Sequence, residues 1–249
     1  MSFSEISEGK LQARFLIVRL PDRSTGDSND SRTRSLGTKP ITMSKVIVKG
    51  RVAVVVDIYI YLLLWFAYDL HVFRPQNDTP TMINYAPHLT IAYLEARQIF
   101  SQHVSQIIRL IPKKKFIEFE WTIGPIPKTV KNGRFYGQEI FTRYQTKIKT
   151  NGIFYTDSNG RQLLQRKRNF NIDYNYQETD SIPSNMYPVN TVGILKDDDD
   201  SLAIMIDRSQ SGGSIVDGTF DLLLHRRDFY DDRKGVDEPL NELGNDGRG

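Results

Sequence analysis

Phe154-Tyr155-Thr156-Asp157-Ser158-Asn159-Gly160-Arg161 reads as a strand ending that runs into a tight reversal. Aromatic and β-branched residues suit a pleated, half-buried surface, which places Phe154 to Thr156 on a strand. Asp157 to Gly160 carries the turn, because Asx side chains close turns on their own backbone and glycine takes positive φ without steric cost. Just upstream, Glu139 to Ile148 alternates as a strand, and Asn151-Gly152 is a hairpin turn signal from which Ile153 to Tyr155 returns. Downstream, Leu163-Leu164, Val192 to Leu195, Leu202 to Ile206 and Phe220 to Leu224 are short apolar runs separated by polar turn clusters, one of them Asp197 to Asp200. Further back, Phe116 to Trp121 alternates toward a half-buried strand that Gly124-Pro125-Ile126-Pro127 stops. Many short strands with polar turns, and no convincing long helix or internal repeat, predict an all-β fold, a β-sandwich.

The N-terminal part differs in character. Residues 1–45 hold a long polar tract, Ser24 to Lys39, with almost nothing to bury, and read as a flexible, disordered arm. Residues 46–243 form the sandwich region and 244–249 a disordered tail. Val52 to Phe66 is the most apolar run in the chain, close in length to a membrane helix. Asp57 interrupts it, and a carboxylate at a helix centre costs about 2.5–3.5 kcal/mol on insertion scales. Its β-branched and aromatic content favours buried strands, so a membrane span is not expected. Ile91 to Ile111 fits a helical and a strand spacing about equally well.

The 249 residues carry 33 basic and 30 acidic side chains, a formal charge of +3, and 39% hydrophobic content. Signs this nearly balanced give no reason to expect a nucleic-acid partner. No cysteine is present, which excludes disulfides, thiolate metal ligands and a thiol nucleophile. Met1 to Lys10 is polar and the apolar cluster Phe15-Leu16-Ile17-Val18 is short, so no secretory signal is visible in the sequence as written. The compartment stays open.

Few residues stand out as candidates for chemistry. The four histidines are isolated from one another and lack ligand spacing, so each reads as a surface or packing residue. Gly212-Gly213 has no following Lys-Ser/Thr and reads as a turn, not a phosphate cradle. Asp197 to Asp200 lacks the spaced ligands of a calcium loop and reads as a solvated hairpin tip. Arg226-Arg227 closes an apolar strand, and adjacent strand residues point to opposite faces, so one guanidinium can look toward a neighbouring domain while the other points away.

Taken in order, further blocks accompany the opening stretch: Trp121 to Pro127, Asn185 to Asn190, Asp207 to Ser214, and His225-Arg226-Arg227 with Asp231-Asp232. Together they resemble the β-sandwich region that follows the catalytic domain in lysosomal-type α-mannosidases, the zinc-dependent retaining class, glycoside hydrolase family 38. The resemblance runs from about Trp65 to about Leu243. It implies a fragment of a galactose-mutarotase-like supersandwich, mannose-containing glycans as substrates, and a lysosomal setting. Retaining glycosidases need two carboxyl groups about 5–5.5 Å apart. By the resemblance these, and the zinc with its His-x-Asp ligand pair, reside in a catalytic domain upstream of this chain.

None of the four histidines fits that pair. The resemblance therefore implies no catalytic residue, metal or cofactor here, a missing catalytic domain as partner, and no mannosidase activity for the chain alone. In the family an arginine of the last motif reaches the active site from the sandwich side, which implicates Arg226 or Arg227. Its role would be a fixed donor fork. An ion pair with Asp228, Asp231 or Asp232 is the alternative. Tyr187-Pro188 reads as a rigid corner that lines the domain junction. A second reading is a non-catalytic carbohydrate-binding or protein-docking module, with Trp121, Tyr136, Tyr174, Tyr176 or Tyr187 as stacking surfaces.

Overall fold

The computed structural model describes residues 95–173, 177, 181–230, 239 and 241, together with the backbone of five earlier strands. Those five are β1 (Leu11–Arg19), β2 (Ser44–Val48), β3 (Val52–Leu62), β4 (Thr81–Met82) and β5 (His88–Ala92). After them come β6 (Glu95–Ser101), β7 (Val104–Leu110), β8 (Phe116–Ile123), β9 (Thr129–Lys131), β10 (Arg134–Tyr136), β11 (Gln138–Gln145), β12 (Ile153–Ser158) and β13 (Gln162–Lys167). A 3₁₀ turn, Pro183–Asn185, leads to β14 (Tyr187–Val189), β15 (Val192–Lys196), β16 (Ser201–Ile206), β17 (Gln210–Gly213) and β18 (Thr219–Arg227).

Two antiparallel sheets face each other. The larger has the order β13-β12-β15-β16-β1-β8-β7-β6-β5, and the smaller β14-β17-β18-β11-β3-β2 with β4 paired to β3. β9 and β10 form a separate hairpin. Strand β8 shows the expected alternation, with Ile117, Phe119, Trp121 and Ile123 buried and the residues between them half-buried. Phe119 meets Tyr144 of the opposite sheet edge-on at 5.8 Å, and Phe154 meets Phe220 likewise at 6.1 Å. These pairs define the sandwich core, each fully buried aromatic contributing on the order of 2–3 kcal/mol of transfer free energy. Gly193 lets the sheets close: a Cβ there would fall 2.2 Å from the Phe220 ring.

β11 departs from simple alternation, since Gln138 to Thr142 are all buried. The cause is a second apolar cluster on its other face, where Phe141 and Ile182 pack with Met186, Ile215 and Leu223. The smaller sheet is thus covered locally on both sides.

The structure differs from the expected arm at two places. Leu11–Arg19 is a central strand, with Phe15 in register with Ile206 on one side and Phe119 on the other. Phe15 to Val18 is a short apolar run, and its place between two hydrogen-bonded neighbours is set by backbone pairing, which side-chain types do not encode. Ser44–Val48 pairs with β3. Residues 1–10, 20–43 and 244–249 lie outside the described residues.

Val52–Leu62 is a strand, as its composition favours, and no helix among the described residues is long and apolar enough to cross a membrane. The ambiguous run Ile91 to Ile111 resolves into parts of β5, β6 and β7.

The opening stretch is a hairpin, with β12 continuing through Ser158 and Asn159 and Gly160 at φ 50° and 68°. Asn151 and Gly152 also have positive φ, 51° and 74°, but join no pair of partnered strands. β11 belongs to the smaller sheet and β12 to the larger, so this turn carries the chain across the sandwich.

Candidate functional site

Strands β14, β17 and β18 end the smaller sheet, and between them lies an open cleft of about 600 Å³. Tyr187, Arg208, Gln210, Leu223, His225 and Arg226 line it, with backbone and smaller side chains from the same strands. Pro188 pairs opposite Ser211 on the edge strand, where a residue without an N–H is tolerated. Gln210 donates its side-chain amide to the Leu223 carbonyl at 2.8 Å, tying the cleft floor together. The Tyr187 ring packs against Phe154 at 5.8 Å, and the Arg166 guanidinium sits 4.4 Å from its centroid.

The glycine pair beside the cleft is not the turn that its sequence suggests. Gly212 and Gly213 lie in β17, and a Cβ on Gly213 would stand 2.1 Å from the Asn185 carbonyl oxygen. Close approach of the chain entering β14 requires glycine there. Asn185 is itself tied to Asn169 through two side-chain hydrogen bonds of 2.6 and 2.8 Å.

The arginine pair divides between two roles. The β11–β18 register shifts between Ile140 and Phe141, which face His225 and Leu223 respectively. The extra residue on β18 changes the phase of alternation. Before it Phe220, Leu222 and Leu224 belong to the core; after it Arg227 is the inward residue. Arg227 donates Nη1 to the Ile126 carbonyl at 2.7 Å, and Nε and Nη2 to Asn241 Oδ1 at 3.0 and 2.8 Å. Burial lowers its pKa. It is a buried tie between segments and does not line the cleft.

Arg226 does line it, and its Nη1 reaches Glu139 Oε1 at 3.4 Å across the strand pair. Among the described residues Glu139 of the neighbouring strand is an acidic partner of Arg226, and local sequence did not single it out. Asp231 and Asp232 lie outside the described residues. Burial pushes the Glu139 carboxyl up to about 8 against the opposing pull of Arg226. The His225 imidazole is lowered by burial and by the charge of Arg208, whereas burial raises the carboxyl of Asp228, which follows Arg227.

Of the proposed stacking aromatics, Trp121 is fully buried against Phe100 at 5.9 Å and offers no surface. Tyr136 is half-buried on β10, and Tyr187 has Arg166 over its ring. Tyr174 and Tyr176 lie outside the described residues. No group of three His, Asp or Glu side chains among the described residues could hold a metal ion. The donors among the described residues do not fit a zinc site.

Asp157 and Asp197 are structural acceptors. Asp157 Oδ2 accepts from the Gly160 N–H at 2.7 Å, and Oδ1 from the N–H groups of Asn190, Thr191 and Val192 at 2.8–3.0 Å. These bonds lower its pKa to about 2 against the opposing effect of burial. Asp197 closes its hairpin tip by accepting from Asp199 and Asp200, and binds the Lys149 N–H at 2.8 Å.

A sequence profile described as "Glycosyl hydrolases family 38 C-terminal domain" matches residues 71–234, well over half of the chain. The chain belongs to glycosyl hydrolase family 38. Bovine lysosomal alpha-mannosidase is 41% identical over 178 residues, covering 70% of this chain and 17% of the relative. The human lysosomal alpha-mannosidase is 39% identical over the same length, and a probable alpha-mannosidase of Arabidopsis thaliana is 44% identical over 148 residues, 59% of this chain and 14% of the relative. The chain thus spans about a sixth of the length of its lysosomal relatives, 17%. Tyr187, Arg208, Glu139 and Arg226 all fall inside the interval matched to the family 38 C-terminal domain.

Proposed function

We propose that this chain is the sandwich domain of a retaining α-mannosidase, acting on mannose-containing glycans of glycoproteins within a longer assembly and inactive alone. The catalytic domain is its partner, and the zinc, nucleophile and acid/base belong to that partner. The lysosomal relatives suggest the same compartment. The observation that carries the reading is Arg226, a guanidinium held at a cleft wall by a buried carboxylate, inside the region matched to the family. Its fork would orient a catalytic carboxylate or sugar hydroxyls across the domain junction, with Tyr187 beside it. The carbohydrate-module alternative is less favoured, because Trp121 is buried and the Tyr187 ring already has a partner.

The test is a graft of residues 71–234 into bovine lysosomal alpha-mannosidase in place of the matched segment. The chimera is expected to release mannose from an aryl α-mannoside. Arg226→Ala is expected to lower kcat/KM by about 10- to 100-fold, the worth of one charge-assisted hydrogen bond of ~1.5–3 kcal/mol. Full activity of the chimera carrying Arg226→Ala would remove Arg226 from the proposed role.

A further inference from the structure

The Glu139 carboxylate is an anomaly of the fold. Its side chain is 1% exposed, in a stretch of β11 where Gln138 to Thr142 are all buried, and a carboxylate in such surroundings is expensive to desolvate. A β-sandwich needs no charge there: an apolar residue of similar volume would pack at least as well. Among the described residues Arg226 is its one hydrogen-bond partner, and Oε2 has none. The contrast with Arg143 and Asp221 in the same strand pair is informative. There Nε donates to Oδ1 and Nη2 to Oδ2, each at 2.7 Å, a bidentate fork. Glu139 grips Arg226 through one oxygen, at 3.4 Å, and Arg226 stays 27% exposed at the cleft.

We propose that Glu139 is the positioning residue of Arg226: its buried carboxylate holds the guanidinium at the cleft wall and is retained for that placement, not for fold stability. This rests on the reading of the cleft given above. It also makes the grip pH-sensitive. Among the described residues the charged groups near Glu139 are Arg226 and Asp228, and Tyr61 is its register partner on β3. Because the Glu139 carboxyl is raised to about 8, the ionised form that binds Arg226 most strongly is favoured above that pH, and the grip weakens below it.

The test uses the full chain and its Glu139→Gln and Glu139→Leu variants, modified with phenylglyoxal and read by mass spectrometry at each arginine. Exposed Arg161 serves as the internal reference and the Arg143–Asp221 pair as the structural control. At pH 9, where wild-type Glu139 is ionised, modification of Arg226 relative to Arg161 is expected to be at least threefold higher in both variants than in wild type, with Arg143 and Arg227 unchanged. In the wild type the Arg226/Arg161 ratio is expected to fall between pH 7 and pH 9, and in Glu139→Gln to stay level. Glu139→Leu is expected to keep or raise the denaturation midpoint.

An unchanged Arg226 ratio in both variants would overturn the proposal. So would a general rise at all arginines together with a lowered midpoint, because that would make Glu139 a structural residue. The readout needs no mannosidase activity. If the chimera proves indifferent to Arg226→Ala while the modification pattern holds, the active-site role of Arg226 fails and its positioning by Glu139 stands.

Discussion

Asp157 shows how far one side chain can act. Its carboxylate accepts from a turn three residues on and from backbone more than thirty residues away, so it joins the β12–β13 hairpin to the start of β15. Its folded pKa of about 2 lies well below the ordinary aspartate value, a depression equivalent to about 2–3 kcal/mol. A depressed carboxylate stabilises fully above its unfolded pKa and loses that contribution as pH falls through the folded one. Asp157→Asn is expected to cost about 1–3 kcal/mol in denaturant unfolding at pH 7, and the gap to wild type should narrow as pH drops from 5 to 2. Breaking the buried Arg143–Asp221 pair at one end, with Asp221→Ala, is expected to cost about 3–5 kcal/mol in the same assay, because it removes a bidentate carboxylate from a largely buried guanidinium. In sequence the local turn role of Asp157 was legible and its distant partners were not, since nothing local encodes a contact between residues 157 and 192. The same holds for Arg226 and Glu139, which are 87 positions apart.

Among elements, β15 and β18 depend on Gly193. A methyl group at that position would overlap the Phe220 ring, so Gly193→Ala is expected to lower stability by about 1–3 kcal/mol, read as a fall in Tm. The double variant Gly193→Ala/Phe220→Leu should recover part of that loss, because it clears the space the new Cβ needs. Most strands were readable from alternation, as β8 shows residue by residue. Two kinds of feature were not. The bulge in the β11–β18 pair reverses which arginine faces inward, and a phase shift of this kind leaves no mark on the pattern of residue types. Asn151-Gly152 has the backbone of a hairpin turn, yet which strands a turn connects is decided by tertiary pairing. β1 was missed for a related reason: its apolar run is short, and the neighbours on its two edges are held by backbone pairing that leaves no mark on residue types.

At the scale of the molecule, the all-β sandwich followed from many short runs and polar turns, and the ordered motif blocks pointed to the family that the profile match then established. The cleft itself was only partly legible. Tyr187 and Arg226 come together in it, Arg227 does not, and Arg208, Gln210 and His225 join through the β17–β18 pairing and the fold around it. The central claim is that this domain supports a mannose-cleaving site whose reactive groups belong to another part of the protein. The most direct measurement is release of the aryl group from an aryl α-mannoside by the purified chain in the presence of zinc. A rate indistinguishable from buffer is predicted, whereas turnover that a chelator abolishes would contradict the claim.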